Sequence, residues 1–132
     1  MQNPYVAILA AAFAAFVFGS VWYMALGKQY QLALGLNPED CKGKKMPLTP
    51  MAVCFMAELL MALVFSILLN ALGVMGWFNG AVTGAFMAIG FIIPATITNN
   101  IFPGRKPMLS LIDGVHWLGV AAIEGAVLAA LR

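Results

Sequence analysis

The chain has 132 residues, 63% of them hydrophobic and only 9% charged, with a net charge of +2 and a mean hydropathy of +0.93. A soluble domain carries about a quarter charged residues, so an ordinary soluble fold is excluded, and the small net charge gives no electrostatic basis for nucleic-acid binding. The partners this composition implies are the lipid bilayer, other membrane helices and a small ion or proton.

Four apolar runs, at 5–26, 51–72, 78–99 and 109–131, reach the roughly 20 residues a helix needs to cross ~30 Å of hydrocarbon. The first contains "AILAAAFAA", whose small residues resemble a leader cleavage site, but no Lys or Arg precedes it and the run is longer than a leader core, so it is read as a span. Ala7, Ala11, Ala15 and Gly19 recur along it at four-residue spacing. Lipid removes the hydrophobic incentive for helices to associate, and small residues at this spacing let backbones approach instead. In the following loop, 27–50, the "YQLALGL" stretch has too short an apolar face for a surface helix and is read as a tether. The second span carries Glu58. The third opens with Gly80 and Gly84 in GxxxG spacing and contains Pro94, which leaves the carbonyl of Gly90 without its donor and predicts a kink. Past the loop 100–108, the fourth span holds Asp113, His116 and Glu124, with Ala121, Gly125 and Ala129 in small-residue register. These grooves serve either packing inside one bundle or contacts between subunits.

All but one of the seven basic residues fall in two loops, Lys28, Lys42, Lys44 and Lys45 in the first and Arg105 and Lys106 in the third. The positive-inside rule makes both loops cytoplasmic and both termini external, and Trp22, Tyr23 and Trp77 fall where interfacial aromatics belong. The predicted fold is an all-α, four-transmembrane-helix bundle. It is expected to be oligomeric, since four short spans make a small conduit alone.

Counting ~1.5 Å of rise per residue from the basic end places Glu58 at ~11 Å, Asp113 at ~6 Å and His116 at ~10 Å of depth. Ser20, Tyr23, Asn99 and Asn100 fall in the same inner third, so a polar cluster fed by all four helices is predicted, with Glu124 alone in the outer half. At ~100° per residue, Asp113, His116 and Glu124 share one face of the fourth helix. Intramembrane ionisable groups are costly unless paired or wet, so that face looks into the bundle, a subunit interface or a water-filled path. Asp113, read as lying in the first helical turn, has the alternative of a helix-dipole role. His116 has the alternative of a satisfied histidine donating to Glu58, Tyr23 or a backbone carbonyl. Arg132 is the basic residue of the fourth helix nearest Glu124. Cys41 and Cys54 form neither a CxxC nor a Cys/His spacing and are read as incidental. No paired nucleophile and base, cofactor motif or metal-ligand spacing is present, so neither an enzyme nor a cofactor or metal is predicted.

The segments "GSVWYMALGKQY" and "NNIFPGRKPMLSLIDGVHWLGV" resemble a family of small bacterial membrane proteins, the domain-of-unknown-function family 1761. Trp22, Tyr23, Gly27, Lys28, Phe102, Gly104, Arg105, Asp113 and His116 occupy its matching positions. The chain departs from it where "MAL" joins Tyr23 to Gly27 in place of a longer Ser-Pro link, so the first helix is expected to end differently. The resemblance implies four membrane helices in a bacterial inner membrane and carries no known activity. The function expected is an oligomeric channel or transporter-like protein whose polar path uses Glu58, Asp113, His116 and Glu124. The alternative is a structural or accessory subunit that docks to itself or to a larger membrane complex.

Overall fold

The computed structural model describes residues 3–44 and 47–132, and Lys45, counted above among the basic residues, lies outside them. Helix α1 spans Pro4–Ala25, the short α2 Gly27–Ala33 and, after a 3-10 turn at Pro38–Cys41, α3 spans Leu48–Leu72. The third long rod is compound: α4 (Trp77–Met87), a π turn (Ala88–Ile92) and α5 (Ile93–Ile101). Helix α6 (Pro107–Ala130) completes the chain, and the described residues form no strand. The four rods Pro4–Ala25, Leu48–Leu72, Trp77–Ile101 and Pro107–Ala130 are each long and apolar enough to cross a membrane.

Local chemistry sets the ends. The Asn3 side chain accepts from the Tyr5 amide at 2.9 Å, with Pro4 supplying a helix start that has no N–H to satisfy. At the far end of α5, Gly104 takes the left-handed conformation (φ 78°). It donates to the Ile101 carbonyl at 3.0 Å while Arg105 donates to that of Asn100 at 3.0 Å, the paired closure that ends helices at glycine. Pro107 then starts α6 earlier than the expected boundary. Asp113 therefore sits almost two turns inside, beyond the first turn where a helix dipole acts, and the dipole reading fails. In the third rod the irregularity expected around Pro94 takes the form of the π turn, which contains Gly90, whose carbonyl the proline leaves free.

Helix α6 is central: α4 and α5 pack along one flank, α1 along another, and α3 leans on both α1 and α6. The small-residue grooves are filled by the chain itself. A Cβ built on Gly80 would strike the Gly125 carbonyl, one on Gly84 that of Ala121 and one on Gly125 that of Gly80. Ala11 and Ala15 are fully buried and Gly19 is buried, with Ala7, Ala11 and Ala12 packing against Ala62, Phe65 and Leu69 of α3. These backbone approaches occur between helices of one chain, which is the packing the first of the two readings expects. The tether reading of "YQLALGL" fails. Its first four residues, Tyr30 to Ala33, belong to α2, and Ala33 is buried with Leu109 and Ile112 of α6 and flanked by Trp22 and Tyr23. The outward faces remain apolar, with Val53, Met56 and Leu60 of α3 and Phe86 of α4 exposed.

Candidate functional site

The end of α1 is tied to the start of α6 by two hydrogen bonds. The Tyr23 hydroxyl donates to Asp113 Oδ1 at 2.6 Å, and Trp22 Nε1 donates to the Ile112 carbonyl at 3.1 Å. One turn further along α6, the His116 imidazole packs against the Tyr23 ring at 4.8 Å between centroids and lies parallel to Phe18 at 6.2 Å. It fills the space left by Gly19, where an added Cβ would lie 2.7 Å from His116 Nε2 and 3.9 Å from Glu58 Oε1. Gly19 is therefore more than a packing residue, since its missing side chain lets an imidazole and a carboxylate meet at the surface of α1.

Glu58, His116 and Glu124 are 0%, 3% and 1% exposed, burial that these residue types rarely reach without partners. Yet Glu58 Oε1 and Oε2, His116 Nδ1 and Glu124 Oε1 have no hydrogen-bond partner within the chain. The bonds expected from His116 to Glu58, Tyr23 or a carbonyl are thus not made at Nδ1. Each orphaned polar group costs about 1–3 kcal/mol, a penalty natural folds retain chiefly where the group has work to do.

Glu58 and His116 stand at the deep end of a cavity of about 370 Å³ between α1, α3 and α6. Ser20 and Tyr23 line one wall, Cys54 and Trp117 others, and Tyr30, Pro47 and Pro50 surround the shallow end. From Pro50 to Glu58 along α3 is about 12 Å, so the space is a vestibule running from the end that carries the basic residues to the buried pair. Ser20, in the cavity wall, donates its hydroxyl proton to the Phe16 carbonyl at 2.9 Å. At the mouth, burial holds the Tyr30 phenol above its ordinary pKa, reinforced by the Asp113 carboxylate and opposed by the Arg105 guanidinium.

Glu124 lies apart from the vestibule, at the floor of an apolar groove of about 350 Å³ between α3 and the third rod, with Phe65 and Leu68 on one side and Met87 and Ile92 on the other. Arg132 is committed elsewhere: its Nη1 donates to the Leu69 carbonyl at 2.9 Å and to that of Val74, closing the turn after α3.

The cluster expected from four helices is fed by three. Asn99 is exposed, and Asn100 donates to Ser110 Oγ at 3.4 Å and accepts the Arg105 amide, so both stabilise or flank the α5–α6 turn and neither reaches Glu58 or His116. The physical reason is that α5 packs only along the α6 flank opposite the vestibule, on a rod whose register is reset by the π turn. Conversely Cys54, read as incidental, lines the cavity one helical turn before Glu58, a proximity that i, i+4 spacing could have signalled. Among the described residues no group of three His, Cys, Asp or Glu is placed to hold a metal ion.

Fold and site together define a multi-pass membrane protein with ionisable side chains buried between its helices. The chain belongs to the family described as Protein of unknown function (DUF1761), whose profile matches residues 6–129. No curated protein and no solved structure matches it.

Proposed function

We propose that the protein passes protons or small cations across the membrane through its buried acidic and imidazole groups. The observation that carries this reading is the pair Glu58 and His116, both sealed from solvent by their neighbours, both lacking partners, and both set at the end of a vestibule. A buried ionisable group without a counter-charge is a poor structural device, whereas one that meets an arriving proton or cation supplies the compensation its site lacks. In this reading the basic loops are cytoplasmic, as positive-inside asymmetry requires, so the vestibule opens to the bacterial cytoplasm. Glu58 and His116 receive the cation or proton there, and Glu124, about 12 Å beyond His116 along α6, is the next buried acid on its way out. Asp113 holds Tyr23 at the vestibule wall and is a positioning residue. Because three helices of one chain enclose the site, the reading works for a monomer and does not require the oligomer expected from size alone.

Liposomes containing purified protein and a pH-sensitive dye test it. Proton or monovalent-cation flux is expected well above that of empty liposomes and at least tenfold slower in Glu58→Gln and in Glu124→Gln. Flux no greater than in empty liposomes would overturn the proposal and leave the accessory-subunit reading. Unchanged flux in both variants would remove these residues from any path.

A further inference from the structure

A second site, whose lining includes neither Glu58 nor His116, lies between α5 and α6. A groove of about 440 Å³ runs between α5 and the first half of α6. Ile93, Ile97 and Ile101 form a straight i, i+4, i+8 row along one wall, and Leu111, Val115 and Leu118 face them from the other. Gly114 deepens its floor, where an added Cβ would meet nothing nearer than Ile93 at 3.8 Å. From Pro107 to Leu118 the groove extends about 16 Å along α6, which is about one leaflet of a ~30 Å hydrocarbon core. Its walls are hydrocarbon throughout, and polarity is confined to one end, where Arg105 and Ser110 stand.

We propose that this groove binds an anionic phospholipid, one acyl chain lying between the isoleucine row and α6 and the phosphate meeting the Arg105 guanidinium. Arg105 has no carboxylate partner, since the one ion pair among the described residues joins Lys42 to Glu39. The geometry favours a lipid over a second copy of the chain because the chain has few anions left to offer. Of its five acidic residues, Glu58 and Glu124 are buried, Asp113 accepts from Tyr23 and Glu39 is paired, which leaves Asp40 in the 3-10 turn outside the spans. A phospholipid brings both halves at the required separation, a chain of leaflet length and a negative head at its interfacial end. Basic residues between helix ends on one membrane face are a recurrent way of holding such heads.

Native mass spectrometry of the detergent-solubilised full chain, titrated with phosphatidylglycerol and with phosphatidylcholine of identical chains, tests the proposal. The wild type should bind the anionic lipid about fivefold more tightly, the worth of one interfacial basic residue. Arg105→Gln should abolish the preference while Arg105→Lys keeps most of it. The Arg105 side chain is exposed and only its backbone closes the helix turn, so the fold survives this change. Gly114→Leu should weaken both lipids by filling the groove, and glycerol phosphate, lacking chains, should not compete. Equal binding of the two lipids by the wild type would overturn the proposal. So would competition by glycerol phosphate, which would make the site a free-phosphate site, and so would a loss of preference in Lys28→Gln as large as in Arg105→Gln, which would reduce it to general surface charge.

Discussion

Along one flank of α6, Gly80 and Gly84 of α4 come so near that their missing side chains are replaced by the carbonyls of Gly125 and Ala121. Along the other, Gly19 of α1 makes the same concession, but what occupies the space is the tip of the His116 imidazole, with a Glu58 oxygen just behind it. The first flank is a seam of backbone on backbone, in which the two helices meet through main-chain atoms. The second holds ionisable atoms that nothing in the chain satisfies. Small residues thus do two different jobs in one bundle: on one side they glue helices, as association in lipid requires, and on the other they make room for chemistry.

The largest test of this contrast is Gly84→Ala. Its Cβ would meet the main chain of Ala121, which moves only if a whole helix moves, so a loss of about 3 kcal/mol or more is expected, despite the ~1 kcal/mol by which Ala favours a helix over Gly. Gly90→Ala, in the same rod but with nothing within 4 Å of its Cβ, is the control and should leave stability within about 1 kcal/mol of wild type. Reversible unfolding in mixed micelles measures both. Equal stabilities for the two variants would mean that the seam is loose and the two flanks do not differ in kind.

A second test approaches from the polar side. Glu58→Leu replaces two orphaned carboxylate oxygens by methyl groups of similar bulk, and the fold should gain about 1–3 kcal/mol, while flux through the reconstituted protein disappears. A protein made more stable by losing its activity is what a site retained for function predicts. A variant that unfolds more easily would instead make Glu58 part of the glue, and the second flank would become another version of the first.

The features legible in the sequence were those that depend on length along a helix. Apolar runs located all four rods, the Trp22–Tyr23 and Gly104–Arg105 motifs located the family, and counting residues put Glu58, His116, Ser20 and Tyr23 at one depth, where the vestibule brings them together. What counting does not provide is the direction in which a residue faces once regularity breaks. Asn99 and Asn100 have the right depth and the wrong azimuth, because the π turn at Ala88–Ile92 interrupts the 100° step on which rotation is computed. The apolar run beginning at Leu109 puts Asp113 near a helix start, whereas Pro107, a residue suited to N1, starts the helix earlier. Gly19 looked the same as Gly80 and Gly84, since a glycine in a sequence indicates that space is needed without indicating what fills it.

That last ambiguity sets the smallest and sharpest prediction, Gly19→Ala. The Cβ would come within 2.7 Å of His116 Nε2, a contact no pair of atoms keeps, yet the obstructing atom is the far end of a side chain with two rotatable bonds. The imidazole can swing toward the vestibule, and the helical preference of Ala over Gly, ~1 kcal/mol, offsets much of what the displacement costs. Stability should therefore stay within about 1 kcal/mol of wild type, unlike that of Gly84→Ala, while flux falls because His116 is pushed out of register with Glu58. The same one-methyl change would then separate the flanks: on the backbone seam it damages the fold, and on the polar flank it leaves the fold standing and displaces the chemistry. A Gly19→Ala protein as unstable as Gly84→Ala would mean that Phe18, Tyr23 and Trp117 clamp the imidazole as rigidly as a backbone, and His116 would then be a structural wedge and not a mobile acceptor.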